Sequence, residues 1–116
     1  MAHDVELAER VRRALGGIKG ITERQMFGGL CFMLDGNMTC GLVGDTLMLR
    51  VGPAEYESCL ALPHAREMDF TGRPLRGYVY VAPEGIRSPA ALQGWIARAT
   101  RFVSTLPPKP ASAKHR

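Results

Sequence analysis

The 116-residue chain is 46% hydrophobic and 22% charged, enough apolar material for one buried core and too ordinary a balance for a disordered chain. No apolar run approaches the ~18 residues of a membrane span, and the polar start Met1-Ala2-His3-Asp4-Val5-Glu6 lacks a basic-then-apolar secretory profile, so the expected setting is the cytoplasm, with no membrane partner. The net charge of +4 comes from the end of the chain, because removing Lys109, Lys114 and Arg116 from the 15 Lys and Arg leaves 12 against 11 acids, and no basic stripe of the kind a DNA-binding surface needs is legible on the remainder.

In chain order, Leu7, Ala8, Val11, Leu15 and Ile18 recur at helical spacing and predict a helix over 5–15. Asp4 is its expected N-cap and Gly16-Gly17 its stop. An antiparallel meander follows. Asp35-Gly36 between apolar runs is a two-residue hairpin signal, and Gly44-Asp45 is a second candidate turn. Continuous pairing outward from these turns sets Leu34 opposite Asn37, Met33 opposite Met38 and Cys31 opposite Cys40. It also sets Val43 opposite Thr46 and Leu42 opposite Leu47. One face then holds Cys31, Met33, Met38, Cys40, Leu42, Leu47, Leu49 and Val51, and reads as the core. The other holds Phe32, Leu34, Thr39, Gly41, Val43, Thr46, Met48 and Arg50, more apolar than a solvated face requires, so a partner or a second helix is expected on it.

A short helix over 53–60 is expected, with Pro53 at its first position and Leu62-Pro63 ending it. Met68-Asp69-Phe70 suggests a short strand and Thr71-Gly72-Arg73-Pro74 a loop tip. Gly77-Tyr78-Val79-Tyr80-Val81 reads as a strand. The last helix is the best marked: Ser88 caps it and Pro89 opens it, Leu92, Trp95, Ile96, Ala99, Phe102, Val103 and Leu106 form its stripe, and Pro107-Pro108 close it. The domain spans 1–106, and 107–116 is a basic tail expected to be disordered. The fold class is α+β, with helices against one sheet face.

Chemical motifs are few. Gly28-Gly29 lacks the Lys-Ser/Thr and helix start of a phosphate loop, so a bend or bulge in a strand is the better reading. Three cysteines, Cys31, Cys40 and Cys59, argue against a disulfide framework, and no metal-ligand spacing joins them to His3, His64 or His115. Cys31 and Cys40, with Met33 and Met38, stand as a minor alternative for a thiol enzyme or soft-metal site. A Cys59–His64 dyad is a weaker one. No catalytic residue, cofactor or metal is therefore expected. Arg10, Arg12, Arg13, Arg24 and Arg50 could form a patch for an acidic partner, but Glu6, Glu9 and Glu23 intersperse the first four, which points instead to Glu6–Arg10 and Glu9–Arg13 helical ion pairs.

The stretch Arg24-Gln25-Met26-Phe27-Gly28-Gly29-Leu30-Cys31-Phe32-Met33-Leu34-Asp35-Gly36-Asn37-Met38 resembles the N-terminal domain of the TfoX family, regulators of bacterial DNA-uptake competence. The likeness continues through Val43–Val51, Tyr78–Glu84 and the helix around Leu92 and Trp95, and covers nearly all of 4–106. The resemblance implies a small α+β fold like that of secretion chaperones and a regulatory role without an active site. The full-length regulators carry a further helical domain, and this chain is expected to be a stand-alone first domain. The expected function is thus non-enzymatic regulation through a protein partner, with self-association into a homodimer as one form of it and direct nucleic-acid binding as the alternative. The expected interaction surface comprises Met26, Phe27, Gly28, Gly29, Phe32, Leu34, Met48 and Arg50.

Overall fold

The computed structural model describes residues 5–26, 28–68 and 75–108. Helix α1 (Val5–Ala14) leads into strands β1 (Ile21–Met26), β2 (Gly29–Leu34), β3 (Asn37–Val43) and β4 (Thr46–Arg50). Helix α2 (Tyr56–Leu60), strands β5 (Ala65–Glu67) and β6 (Tyr78–Val81), a 3-10 turn (Pro83–Ile86) and helix α3 (Pro89–Val103) complete the domain. The six strands form one antiparallel sheet in the order β1-β2-β3-β4-β6-β5. The α+β expectation holds, with helices at both ends of the element order.

Both predicted hairpin turns form. Asp35 (φ 51°) and Gly36 (φ 84°) occupy the left-handed region together, the pairing of conformations that matches strand twist in a two-residue turn. Leu34 then pairs with Asn37 and Met33 with Met38, as expected. Beyond that point the register slips: Phe32, not Cys31, pairs with Cys40, and Cys31 pairs with Gly41. The slip leaves Thr39 as an extra residue in β3, a β-bulge. Its buried hydroxyl donates to the Asn37 carbonyl at 3.2 Å. From Cys40 onward the side chains alternate in the opposite phase to the one continuous pairing predicts.

The consequence is a corrected core. Leu30, Phe32, Cys40, Leu42, Leu47 and Leu49 pack with Val79 and Val81 under the helices, which contribute Leu7, Val11, Tyr56, Leu92, Trp95 and Ile96. Each fully buried aliphatic or aromatic side chain contributes roughly 1.5–3 kcal/mol. This packing is what holds α1, whose 10 residues fall short of the ~12–15 an isolated helix needs even to be marginal. Helix α3 has the predicted cap, its Ser88 hydroxyl accepting from the Ala91 N–H at 3.0 Å.

Several boundaries differ from expectation. β1 adds a strand that no sequence pattern marks; it is an edge strand of mainly polar residues, where alternation of apolar residues is not required. α2 begins at Tyr56, and Pro53 lies in the turn before it, so Pro53 does not open the helix. The strand expected at Met68-Asp69-Phe70 is placed earlier, at Ala65–Glu67, with Met68 just past it. Asp69, Phe70, the Thr71–Pro74 tip, the Asp4 cap and residues 109–116 of the tail lie outside the described residues. The ion pairs are also reassigned. Arg12 joins Glu9 and binds Glu23 of β1 through two nitrogens, at 2.6 and 2.9 Å. Arg10 donates to the carbonyls of Ile86 and Arg87 at 2.6 and 3.1 Å. Neither Glu6–Arg10 nor Glu9–Arg13 is an ion pair.

Gly52 couples sheet to helix. Its φ is +88°, its N–H and that of Val51 both donate to the Gly77 carbonyl at 3.0 and 2.8 Å, and a Cβ at this position would strike the Phe102 ring of α3. Gly52→Ala therefore combines left-handed backbone strain with overpacking, and should lower unfolding free energy by about 2–4 kcal/mol. Equilibrium denaturation measures this, and a Gly52→Ala protein as stable as the parent contradicts the packing described.

Candidate binding surface

The bulge sorts the sheet into two chemically distinct faces. The helix side is aliphatic and aromatic. The other side carries a separate cluster of Cys31, Met48 and Met68 with Met33, Met38, Tyr78 and Tyr80 packed against it, and no residue of α1, α2 or α3 belongs to it. Four of the seven are methionines, whose flexible thioethers adapt to irregular neighbours. A Cβ on Gly41 would lie 2.7 Å from the Met48 methyl and 3.1 Å from Cys31 Sγ, so the bare glycine is what lets these two side chains settle over β3. Met33, Met38, Tyr78 and Tyr80 are partly exposed, while Cys31, Met48 and Met68 are buried.

Arginines frame this face. Cross-strand register places Arg24 opposite Cys31, Arg50 opposite Tyr78 and Arg66 opposite Tyr80. The Arg66 guanidinium lies 4.7 Å from the Tyr80 ring centroid, and that of Arg50 lies 5.6 Å from Tyr78 and 5.8 Å from Phe102. Such cation–π contacts contribute on the order of 0.5–1 kcal/mol when exposed. Arg50 Nη1 also donates to the Met38 carbonyl beside the bulge, at 3.5 Å.

The expected surface residues are divided by this arrangement. Arg50 and Met48 lie on the helix-free face as expected, but Met48 is wholly buried within it. Phe32 and Leu34 do not: Phe32 is 0% exposed in the core beneath the helices, and Leu34 is buried on the same side. Gly28 is exposed in the turn between β1 and β2 with φ +72°, and Gly29 is buried where a Cβ would strike the Leu42 carbonyl, so the glycine pair bends and packs a hairpin. Met26 pairs with Gly29 across that hairpin, and Phe27 lies outside the described residues. The same face also carries Arg24, Met33, Met38, Arg66, Tyr78 and Tyr80, which lie outside the expected surface. The alternation Tyr78-Val79-Tyr80-Val81 held the signal for the two tyrosines, because both valines face the core. For Met33 and Met38 no local signal existed.

The cysteines do not assemble. Cys31 sits on the helix-free face and Cys40 on the helix side, so the expected sulfur set is split between opposite faces of the sheet. Cys59 is buried in the core, where Arg98 Nη1 approaches its sulfur at 3.9 Å, and His64 is exposed. Burial pushes all three thiols above the ordinary value of 9.0, with nearby Cys31 adding to the effect on Cys40 and Arg98 partly offsetting it at Cys59. No group of three or more His, Cys, Asp or Glu placed to hold a metal ion occurs among the described residues. Because the unfolded thiols ionise near 9 and the folded ones higher, the folded state binds more protons in that window, and stability should be constant below it and fall as pH rises above about 9. Native protein at neutral pH should leave Cys40 and Cys59 unlabelled by iodoacetamide, and denaturant should expose all three; rapid native labelling of Cys40 would contradict its placement.

The profile of the TfoX N-terminal domain matches residues 13–103, a span that begins at the last two residues of α1 and takes in the whole sheet, α2 and α3. No curated protein and no solved structure matches the chain. No helix among the described residues is long and apolar enough to cross a membrane. With the match covering most of its length and the α+β fold in place, the chain belongs to the TfoX N-terminal domain family and is a competence-regulator-like domain.

Proposed function

We propose that this domain is a non-enzymatic, cytoplasmic regulatory or adaptor module that acts by binding a protein at the helix-free sheet face. The observation that carries this reading is the partly exposed patch of Met33, Met38, Tyr78 and Tyr80 on a face to which no helix contributes a core residue. Adaptable thioethers beside amphipathic rings supply apolar contact to a partner's side chains while leaving polar atoms for its rim. Family membership supports a regulatory role, and the placement of Cys31 and Cys40 on opposite faces of the sheet favours it over paired-thiol chemistry.

The test is recovery of a stoichiometric partner by the immobilised domain, compared across variants that stay folded by circular dichroism. The Met33→Ala/Met38→Ala double variant should lose partner affinity by about tenfold, as loss of central apolar contacts does. Ala97→Glu, on an exposed position of α3, should bind as the parent does. A partner retained equally by the methionine variant moves the interface off this face, and failure to recover any partner, including a second copy of the chain, counts against the proposal.

A further inference from the structure

The two sides differ in whether carboxylates stand beside their arginines. On the helix side, Arg12 is paired with Glu9 and Glu23, Arg76 with Glu57, and Arg98 with Glu55. On the other side, none of Arg24, Arg50 and Arg66 takes part in a salt bridge among the described residues. The strand positions that share their face, from Thr22 on β1 to Tyr80 on β6, include no carboxylate among the described residues. Arg24 stands on one edge strand and Arg66 on the other, both exposed, with the methionines and tyrosines between them. The face is a partly apolar strip with positive charge at both ends.

We infer that the occupant of this face is an acidic protein segment carrying apolar anchors. The inference rests on the proposed function above, and adds the chemistry of the partner to it. Carboxylates at the ends of the segment meet Arg24 and Arg66, and its apolar side chains meet Met33, Met38 and the tyrosines. A second copy of the chain is disfavoured here, because a self-complementary contact would press arginine-bearing faces together. An oligonucleotide is a poorer fit, because base stacking needs free aromatic faces, and the rings of Tyr78 and Tyr80 already carry guanidinium groups. Six strands separate the two end arginines by roughly 24 Å at the usual interstrand spacing. A segment crossing the strands spans that distance with about seven extended residues or about sixteen helical ones.

The probe is a display library of random segments about sixteen residues long, selected on the full chain, with a single-stranded dT oligonucleotide of about twenty nucleotides as competitor. Selected peptides should combine Asp or Glu with Leu, Ile, Phe or Met, and should weaken with added salt. Arg24→Glu/Arg66→Glu should lower their affinity by about tenfold, and Arg101→Glu, an exposed charge on α3, should not. Selection of neutral or basic sequences, absence of any binder, or tighter binding of the oligonucleotide overturns the inference. Peptide binding that depends on Met33 and Met38 but not on the arginines overturns the charge inference alone. Binding that depends on neither set removes the face itself as the site.

Discussion

The organisation of this domain depends on one inserted backbone residue. Thr39 has no partner across β2, and the phase of side-chain alternation reverses on either side of it. A sheet with period two cannot change which side chains face inward except by such a step. Through that step β3 turns Cys40 and Leu42 toward the helices while Met38, two positions before Cys40, points the other way. The core gains Phe32, the largest fully buried side chain. In exchange the sulfur-rich residues Cys31, Met33 and Met38 are moved to the side the helices do not reach.

The two faces that result differ in their chemistry. Branched aliphatic residues with stiff rotamers dominate the helix side, where close packing specifies one arrangement of α1, α2 and α3. Some of its surface arginines meet carboxylates, as in the two-point bond that ties Arg12 on α1 to Glu23 on the edge strand. Methionine, tyrosine and arginine dominate the other side, residues that repack readily and keep polar ends in water. A flexible apolar surface with uncompensated positive charge costs little as a free surface and gains when an anionic, partly apolar segment covers it.

The same geometry limits what sulfur can do. Cys31 and Cys40 lie on adjacent strands, yet the bulge directs them through opposite faces of the sheet, so neither disulfide formation nor shared metal ligation is open to them without rearranging the strand. Cys59 is enclosed by α3, with a guanidinium against its sulfur. Burial raises each thiol and keeps it protonated at neutral pH, an effect that Arg98 and Arg101 offset only in part at Cys59, whereas a reactive cysteine needs an exposed setting.

By itself the sequence determined the local elements and the family. The helical stripes Leu7–Leu15 and Leu92–Val103, the Ser88-Pro89 start, the turns at Asp35-Gly36 and Gly44-Asp45 and the alternating strand Tyr78–Val81 were all legible, because capping, turn conformation and periodicity are set by residues within a few positions of one another. The resemblance carried by Arg24–Met38 was legible for the same reason. Tertiary structure alone decided the rest. Edge strand β1 shows polar residues and no clear alternation, since Thr22 to Gln25 are exposed on both faces of the strand. The order β4-β6-β5 depends on contacts between distant segments. The bulge at Thr39 depends on whether Phe32 or Cys31 better fills the space beneath α1 and α3, a comparison of long-range packing that no window of sequence contains. That comparison settled which residues are core and which are surface, and with them the candidate site.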